Sequence, residues 1–168
     1  MKTNGNPFII FLVDDDKLFL SSLMHKLNER FKTEIKIITF TTGEDCLKEL
    51  YLDPDIIILD HYLNSEYPDA INGIQVLKKI KSENNNATVV MLSSQDKLEV
   101  AAESIKYGAF EYVVKTESSF IRTENVVKNI LSNKNIEGTQ KKYEIWNYII
   151  AFLLLGLIVL DVVYYINH

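Results

Sequence analysis

The chain has 168 residues, 47% hydrophobic and 24% charged, with a net charge of −5. That balance suits one folded domain with its own core plus an appendage. An acidic chain with no long basic run excludes broad nucleic-acid binding, because phosphate backbones need clustered Lys and Arg. The single cysteine, Cys46, excludes an internal disulfide framework and a multi-cysteine zinc site, and is expected as a small packed residue in a helix.

The first apolar run, Phe8–Val13, is a six-residue stretch cut off by Asp14, Asp15 and Asp16. It is too short for a signal-peptide core, so the main domain is expected in the cytoplasm. A continuous apolar run of this length fits a strand buried on both faces. Residues 17–31 place Leu18, Leu20, Leu23, Leu27 and Phe31 at helical spacing, with Asp16 as N-cap. Ile35–Phe40 is β-branched and reads as a second strand, and 44–50 as a short helix after the turn at 41–43. Pro54 breaks the chain, and DIIILD at 55–60 is a third buried strand. Residues 61–72 lack periodicity and form a loop, and 73–81 is helical with Ile74, Leu77 and Ile80 on one side. A turn at 84–86 leads to a strand at 87–92 and a helix at 97–107, closed by Gly108 as a left-handed cap. A fifth strand at 110–114 and a helix at 119–131 follow. Strand and helix alternate five times, which predicts a parallel sheet covered on both faces.

Ligands of an open parallel α/β sheet sit outside the carboxyl ends of its strands. That rule gathers Asp14, Asp15 and Asp16 after the first strand, Asp60 at the end of the third, Ser93 and Ser94 after the fourth, and Lys115 after the fifth. Clustered carboxylates repel unless a cation compensates them. Oxygen-only ligation suits a hard cation, and Mg²⁺ is expected. Beside such an ion the Asp60 carboxylate would act as nucleophile toward a phosphoryl group, with Ser93 donating to a phosphoryl oxygen and Lys115 pairing with it.

VDDD at 13–16, PDIIILD at 54–60, VVMLSS at 89–94 and YVVK at 112–115 resemble, in order and each at a strand end, the four signatures of response-regulator receiver domains. The resemblance spans roughly residues 8–131. It implies a doubly wound five-stranded parallel sheet of flavodoxin-like type. It also implies phosphorylation of Asp60 by a histidine kinase or phosphotransfer protein. Mg²⁺ would be held by Asp15, Asp60 and the backbone carbonyl of Tyr62, with Asp14 acting through water. Ser93 would be the switch hydroxyl, Tyr112 the rotating aromatic and Lys115 the phosphate-binding lysine. Tyr62, Ser94 and Gln95 occupy positions that tune phosphoryl loss. The sequence departs from the pattern at Thr116, where the family has proline after a cis bond. It departs again in the long loop before Gly73, with Asn64 where an early proline is usual. His61, beside Asp60, is expected to shape access, and His25 and His168 carry no signal.

Residues 132–142 are polar and contain Gly138, which reads as a linker. Residues 145–166 are 22 in number, about 33 Å as a helix against a hydrocarbon core of about 30 Å. Within them 148–160 lacks any charge, while Trp146 and Tyr148 stand at one end and Tyr164 and Tyr165 at the other, as in an aromatic belt. Lys141 and Lys142 precede the segment, which places that end in the cytoplasm. Asp161 lies within it, near the far end, where a carboxylate costs less than at the bilayer centre.

These readings divide the chain into a receiver domain over 1–133, a linker over 134–144 and a transmembrane helix over 145–166. The function they predict is a membrane-anchored phospho-accepting regulator, not an enzyme beyond assisting its own phosphorylation and dephosphorylation. It would signal through an unidentified partner protein, with no nucleic-acid contact. A non-phosphorylated interaction module on the same fold is the alternative. A phosphatase with an aspartyl nucleophile would want an acid at position 62, which is Tyr.

Overall fold

The structure, a computed structural model, describes residues 6–63, 72–83 and 86–167, with the backbone alone at 137, 138, 141, 157, 159–163 and 165–167. The elements run β1 (Phe8–Val13), α1 (Lys17–Phe31), β2 (Ile35–Phe40), α2 (Gly43–Lys48), β3 (Ile56–Asp60), α3 (Gly73–Glu83), β4 (Thr88–Ser93), α4 (Leu98–Lys106), β5 (Glu111–Val114) and α5 (Ser119–Asn167). The five strands are all parallel in the order β2-β1-β3-β4-β5. That is the order of a flavodoxin-like sheet, whose switch point lies between β1 and β3. The expected loop at 61–72 and turn at 84–86 lie partly outside the described residues, at 64–71 and 84–85.

Period-two alternation in the central strands divides the core into two layers. Ile10, Leu12, Ile56, Ile58, Val90 and Leu92 face α1 and α5, meeting Leu20, Leu23, Leu27, Val126, Val127 and Ile130. Phe11, Val13, Ile57, Leu59, Val89 and Met91 face the other way, against Ile74, Leu77 and Ile80 of α3. Each such buried aliphatic side chain stabilises the fold by about 1.5–3 kcal/mol. This explains why β1, β3 and β4 read as continuous apolar runs.

Asp16 caps α1, accepting from the amides of Leu18 and Phe19 at 2.9 and 3.1 Å. Leu18 does not join the apolar face of α1: it is 81% exposed. Two residues before Leu20, it points about 200° around the helix from the buried row. Gly108 ends α4 with φ of 95°, a conformation L side chains disfavour. Cys46 is fully buried, and burial pushes its thiol up to about 12.

The helix expected to end at 131 continues, and the segment 134–144 expected as a linker is helical. No proline interrupts it, and one internal glycine costs a helix only about 1 kcal/mol. Thr139 turns its hydroxyl back onto the Asn135 carbonyl at 2.9 Å, satisfying within the helix a side chain that would otherwise favour a turn. By internal contacts the chain forms two units, one over 6–131 and one containing 132–167. In the second, the described side chains from Tyr148 to Leu155 are exposed. Among the described residues no helix is long and apolar enough to cross a membrane. Eight side chains of the expected span, at 157, 159–163, 165 and 166, including Asp161 and Tyr165, lie outside the described residues.

Candidate functional site

The parallel register delivers the polar residues to one edge. Val13 pairs with Leu59, so Asp14 and Asp60 leave neighbouring strands side by side. Asp60 pairs with Leu92 and Ser93 with Val114, which brings Ser93 and Lys115 to the same rim. Asp14, Asp15 and Asp60 each offer a carboxylate oxygen, and these atoms all lie within 4.8 Å of one another. Asp14 and Asp60 are buried and Asp15 is exposed.

Lys115 is the counter-charge. Its Nζ is 2.6 Å from Asp14 Oδ2 and 3.1 Å from Asp60 Oδ1. Its backbone amide is fixed by the Ser93 carbonyl at 2.7 Å. Burial disfavours the lysine charge, but the Asp14 hydrogen bond and the nearby Asp60 carboxylate overcome this and raise its pKa. Burial raises the Asp14 carboxyl above the usual carboxylate range, against the pull of Lys115. Asp60 goes further: burial pushes it to about 7, with Lys115 opposing and the Asp14 charge adding to the rise.

A buried carboxyl displaced so far upward lacks sufficient positive charge around it. Asp60 Oδ1 meets Lys115 as an ion pair but makes no well-aligned hydrogen bond. Asp14, Asp15 and Asp60 together are an all-oxygen donor set, which fits a hard divalent cation.

Ser93 is fully buried, and its Oγ accepts from the Gln95 amide at 3.1 Å. Tyr112 donates its hydroxyl to the Gln95 carbonyl at 2.7 Å. Burial raises the Tyr112 phenol, with Ser93 hydrogen bonding in opposition. Ser93, Gln95 and Tyr112 therefore form one linked set, while Ser94 is exposed. Tyr62 is half-exposed, its ring packed edge-on to His61 at 4.8 Å between centroids. Burial lowers the His61 pKa, with the Glu103 charge opposing. The described residues contain no cis peptide bond, so Lys115–Thr116 is trans. Asn64 lies outside the described residues.

Two features escaped the sequence reading. A Cβ at Gly73 would lie 2.2 Å from the Asp60 carbonyl oxygen, so α3 starts directly against the backbone of the acidic site. Asn72 and Gln75 cap that start reciprocally at 2.9 Å each, an arrangement the Asn-x-x-Gln spacing carried. Phe19, counted only as part of a helix, lies under the Lys115 ammonium, 4.5 Å from Nζ to ring centroid.

Comparison with known proteins agrees with this geometry. Residues 10–130 match the response regulator receiver domain family. The chain is 27% identical over 116 residues to the chemotaxis protein CheY of Treponema pallidum, covering 68% of this chain and 76% of that protein. It is 25% identical over 139 residues to the transcriptional regulatory protein MalR of Bacillus subtilis, covering 79% of this chain but only 54% of MalR. The match to the regulatory protein LuxO of Vibrio cholerae covers 24% of that protein. Thus the chain spans about half or less of the larger regulators it resembles. Among solved structures, the BeF3-activated DrrB receiver domain superposes with a TM-score of 0.60 at 27% identity, covering 75% of this chain and 98% of that one. The receiver domain of a LuxO repressor protein from Vibrio parahaemolyticus superposes with a TM-score of 0.68 at 20% identity, covering 78% and 95%, which shows shared fold. Since the family match takes in β3 with Asp60, β4 with Ser93 and β5 with Lys115, the chain belongs to the response regulator receiver domains of two-component systems.

Proposed function

We propose that Asp60 accepts a phosphoryl group from a histidine kinase or phosphotransfer protein, and that the phosphorylated chain signals through a partner protein. One observation carries the reading: the carboxylates of Asp14, Asp15 and Asp60 lie within 4.8 Å of one another, with Lys115 as counter-charge. Asp15, Asp60 and the Tyr62 carbonyl would hold Mg²⁺, with Asp14 supporting it. When bound, the ion supplies positive charge that keeps Asp60 ionised and offsets that of the incoming group.

In the transfer, a carboxylate oxygen of Asp60 forms a bond to phosphorus. The bond from phosphorus to the donor, a histidine nitrogen or the acetate oxygen of acetyl phosphate, breaks, and its electron pair leaves with the donor. Lys115 pairs with a phosphoryl oxygen, and Ser93 turns its hydroxyl toward another. Ser93 then gives up its bond from Gln95, and through Gln95 the hydroxyl of Tyr112 is affected. That is a two-state element which phosphorylation can bias.

We further propose that the chain works at a membrane. The charge-free stretch at 148–160, flanked by Trp146 and by Lys142, supports anchoring in a membrane with the receiver domain on the cytoplasmic side. Extraction of cell membranes at high pH tests the anchor, and complete release of the intact chain would refute it. For the site, the full chain is incubated with Mg²⁺ and acetyl phosphate beside Asp60→Asn. A mass increase of one phosphoryl group in the unmutated chain alone is expected. No increase in that chain would overturn the reading.

A further inference from the structure

Lys115 is held on three sides, and the carboxylates account for two. On the third its Nζ sits over the face of Phe19, 4.5 Å from the ring centroid. An ammonium over an aromatic face is drawn to the ring quadrupole, more strongly where water is excluded. Lys115 is only 18% exposed.

Two contacts aim the ring. The Phe19 amide donates to the capping carboxylate of Asp16 at 3.1 Å, which fixes the first turn of α1 at this residue. The ring itself stacks on Phe120 in the first turn of α5, with centroids 5.1 Å apart and planes 24° from parallel. Phe19 and Phe120 both pack on the core layer beneath α1 and α5.

We propose that Phe19 is a positioning residue for Lys115, its ring face retaining the ammonium at the rim while the ammonium changes partners from carboxylate to phosphoryl oxygen. Lysine is a point charge on a flexible four-carbon stem. A hydrogen-bond acceptor in place of Phe19 would tie up a donor in one direction. A ring face attracts the charge without claiming a donor, so Nζ is free to turn but resists withdrawal into solvent. Leucine would fill the space without that attraction. Phe120 supports the ring from α5.

The experiment uses the full chain and has two arms. The first needs no phosphorylation. In the resting protein the Lys115 ε-methylene protons are expected well upfield of ordinary lysine values, through the Phe19 ring current, and Phe19→Leu should abolish the displacement. Ordinary values in the unmutated chain would overturn the inference. The second arm rests on the phospho-acceptor reading. Phenylalanine at position 19 is replaced by analogues with one, two and three ring fluorines, which weaken the quadrupole stepwise at nearly constant shape. Phosphorylation by acetyl phosphate at saturating Mg²⁺ should slow with each fluorine, reaching about three- to ten-fold for three, while melting temperatures stay level. Equal rates across the series would overturn the positioning role. A chain that takes no phosphoryl group at all would instead sink the phospho-acceptor reading, and the first arm would still decide whether Phe19 holds Lys115.

Discussion

Lys115 and Asp14, 101 residues apart in sequence, meet at 2.6 Å, closer than the 3.1 Å between Lys115 and Asp60. The lysine is thus committed first to Asp14, not to Asp60, the proposed phosphoryl acceptor. Removing it strands Asp14, which is almost fully buried. A buried pair broken from one side costs about 3–5 kcal/mol. Lys115→Ala should therefore unfold at clearly lower urea concentration than the parent without metal, and Mg²⁺ should restore part of the difference. Urea midpoints with and without Mg²⁺ check this. An unchanged metal-free midpoint would show that the Lys115–Asp14 pair contributes nothing net.

Asp60 gives the protein a pH dependence of opposite sign to that of an ordinary ion-paired carboxylate. Burial raises its folded-state pKa to about 7, and its ordinary value is 3.8. Between those limits the folded chain binds a proton that the unfolded chain does not. This contribution to stability is complete below the lower value, declines as pH rises through the window, and levels off above about pH 7. Metal-free melts from about pH 5 to about pH 8 should show the decline in the parent and lose it in Asp60→Asn. Mg²⁺ held as proposed would bind the ionised carboxylates, so its protection should grow over the same range. Parallel curves for parent and Asp60→Asn would contradict the assignment.

The fold was legible because burial on both faces leaves a direct mark: FIIFLV and DIIILD cannot be amphipathic, so β1 and β3 had to be central. The site was legible because a parallel sheet brings the carboxyl ends of its strands to one edge, where Asp60 and Ser93 end β3 and β4 and Asp14 and Lys115 follow β1 and β5. What escaped depends on where atoms meet across the fold. Leu18 fits a helical spacing rule by number but points away from the sheet. The polar stretch at 132–142 looks like a linker by composition, yet nothing in it forbids a helix. Gly73 closes against the backbone of Asp60 and His61, and the Phe19 ring meets Lys115 and Phe120, contacts that sequence spacing does not reveal.

Cys46 offers a probe of global opening. It is fully buried among the residues beneath α2 and α3, and burial pushes its thiol up to about 12. Reactivity requires thiolate and access, so the native thiol should react with an aromatic disulfide reagent no faster than the domain unfolds. The labelling rate should rise with urea in parallel with the unfolding rate. Fast labelling without denaturant would mean that α2 opens locally.

Gly73 is the position where one methyl group should disturb fold and site together. A Cβ there would lie 2.2 Å from the Asp60 carbonyl oxygen, 2.8 Å from the His61 Cα and 3.0 Å from the Asp60 carbonyl carbon. All three are backbone atoms, so no side chain can swing aside. Either α3 lifts or the end of β3 shifts, and the second moves Asp60 itself. Overpacking of this kind costs about 1–3 kcal/mol, and displacement of Asp60, the proposed acceptor, should also slow phosphorylation. Gly156→Ala is the control: nothing lies within 4 Å of a Cβ there, and alanine favours a helix over glycine by about 1 kcal/mol. Gly73→Ala should therefore lose stability and phosphorylation rate together while Gly156→Ala loses neither, as urea unfolding and acetyl phosphate labelling would read. If Gly73→Ala matched the parent in both, the close approach of α3 to Asp60 would not be what shapes this site.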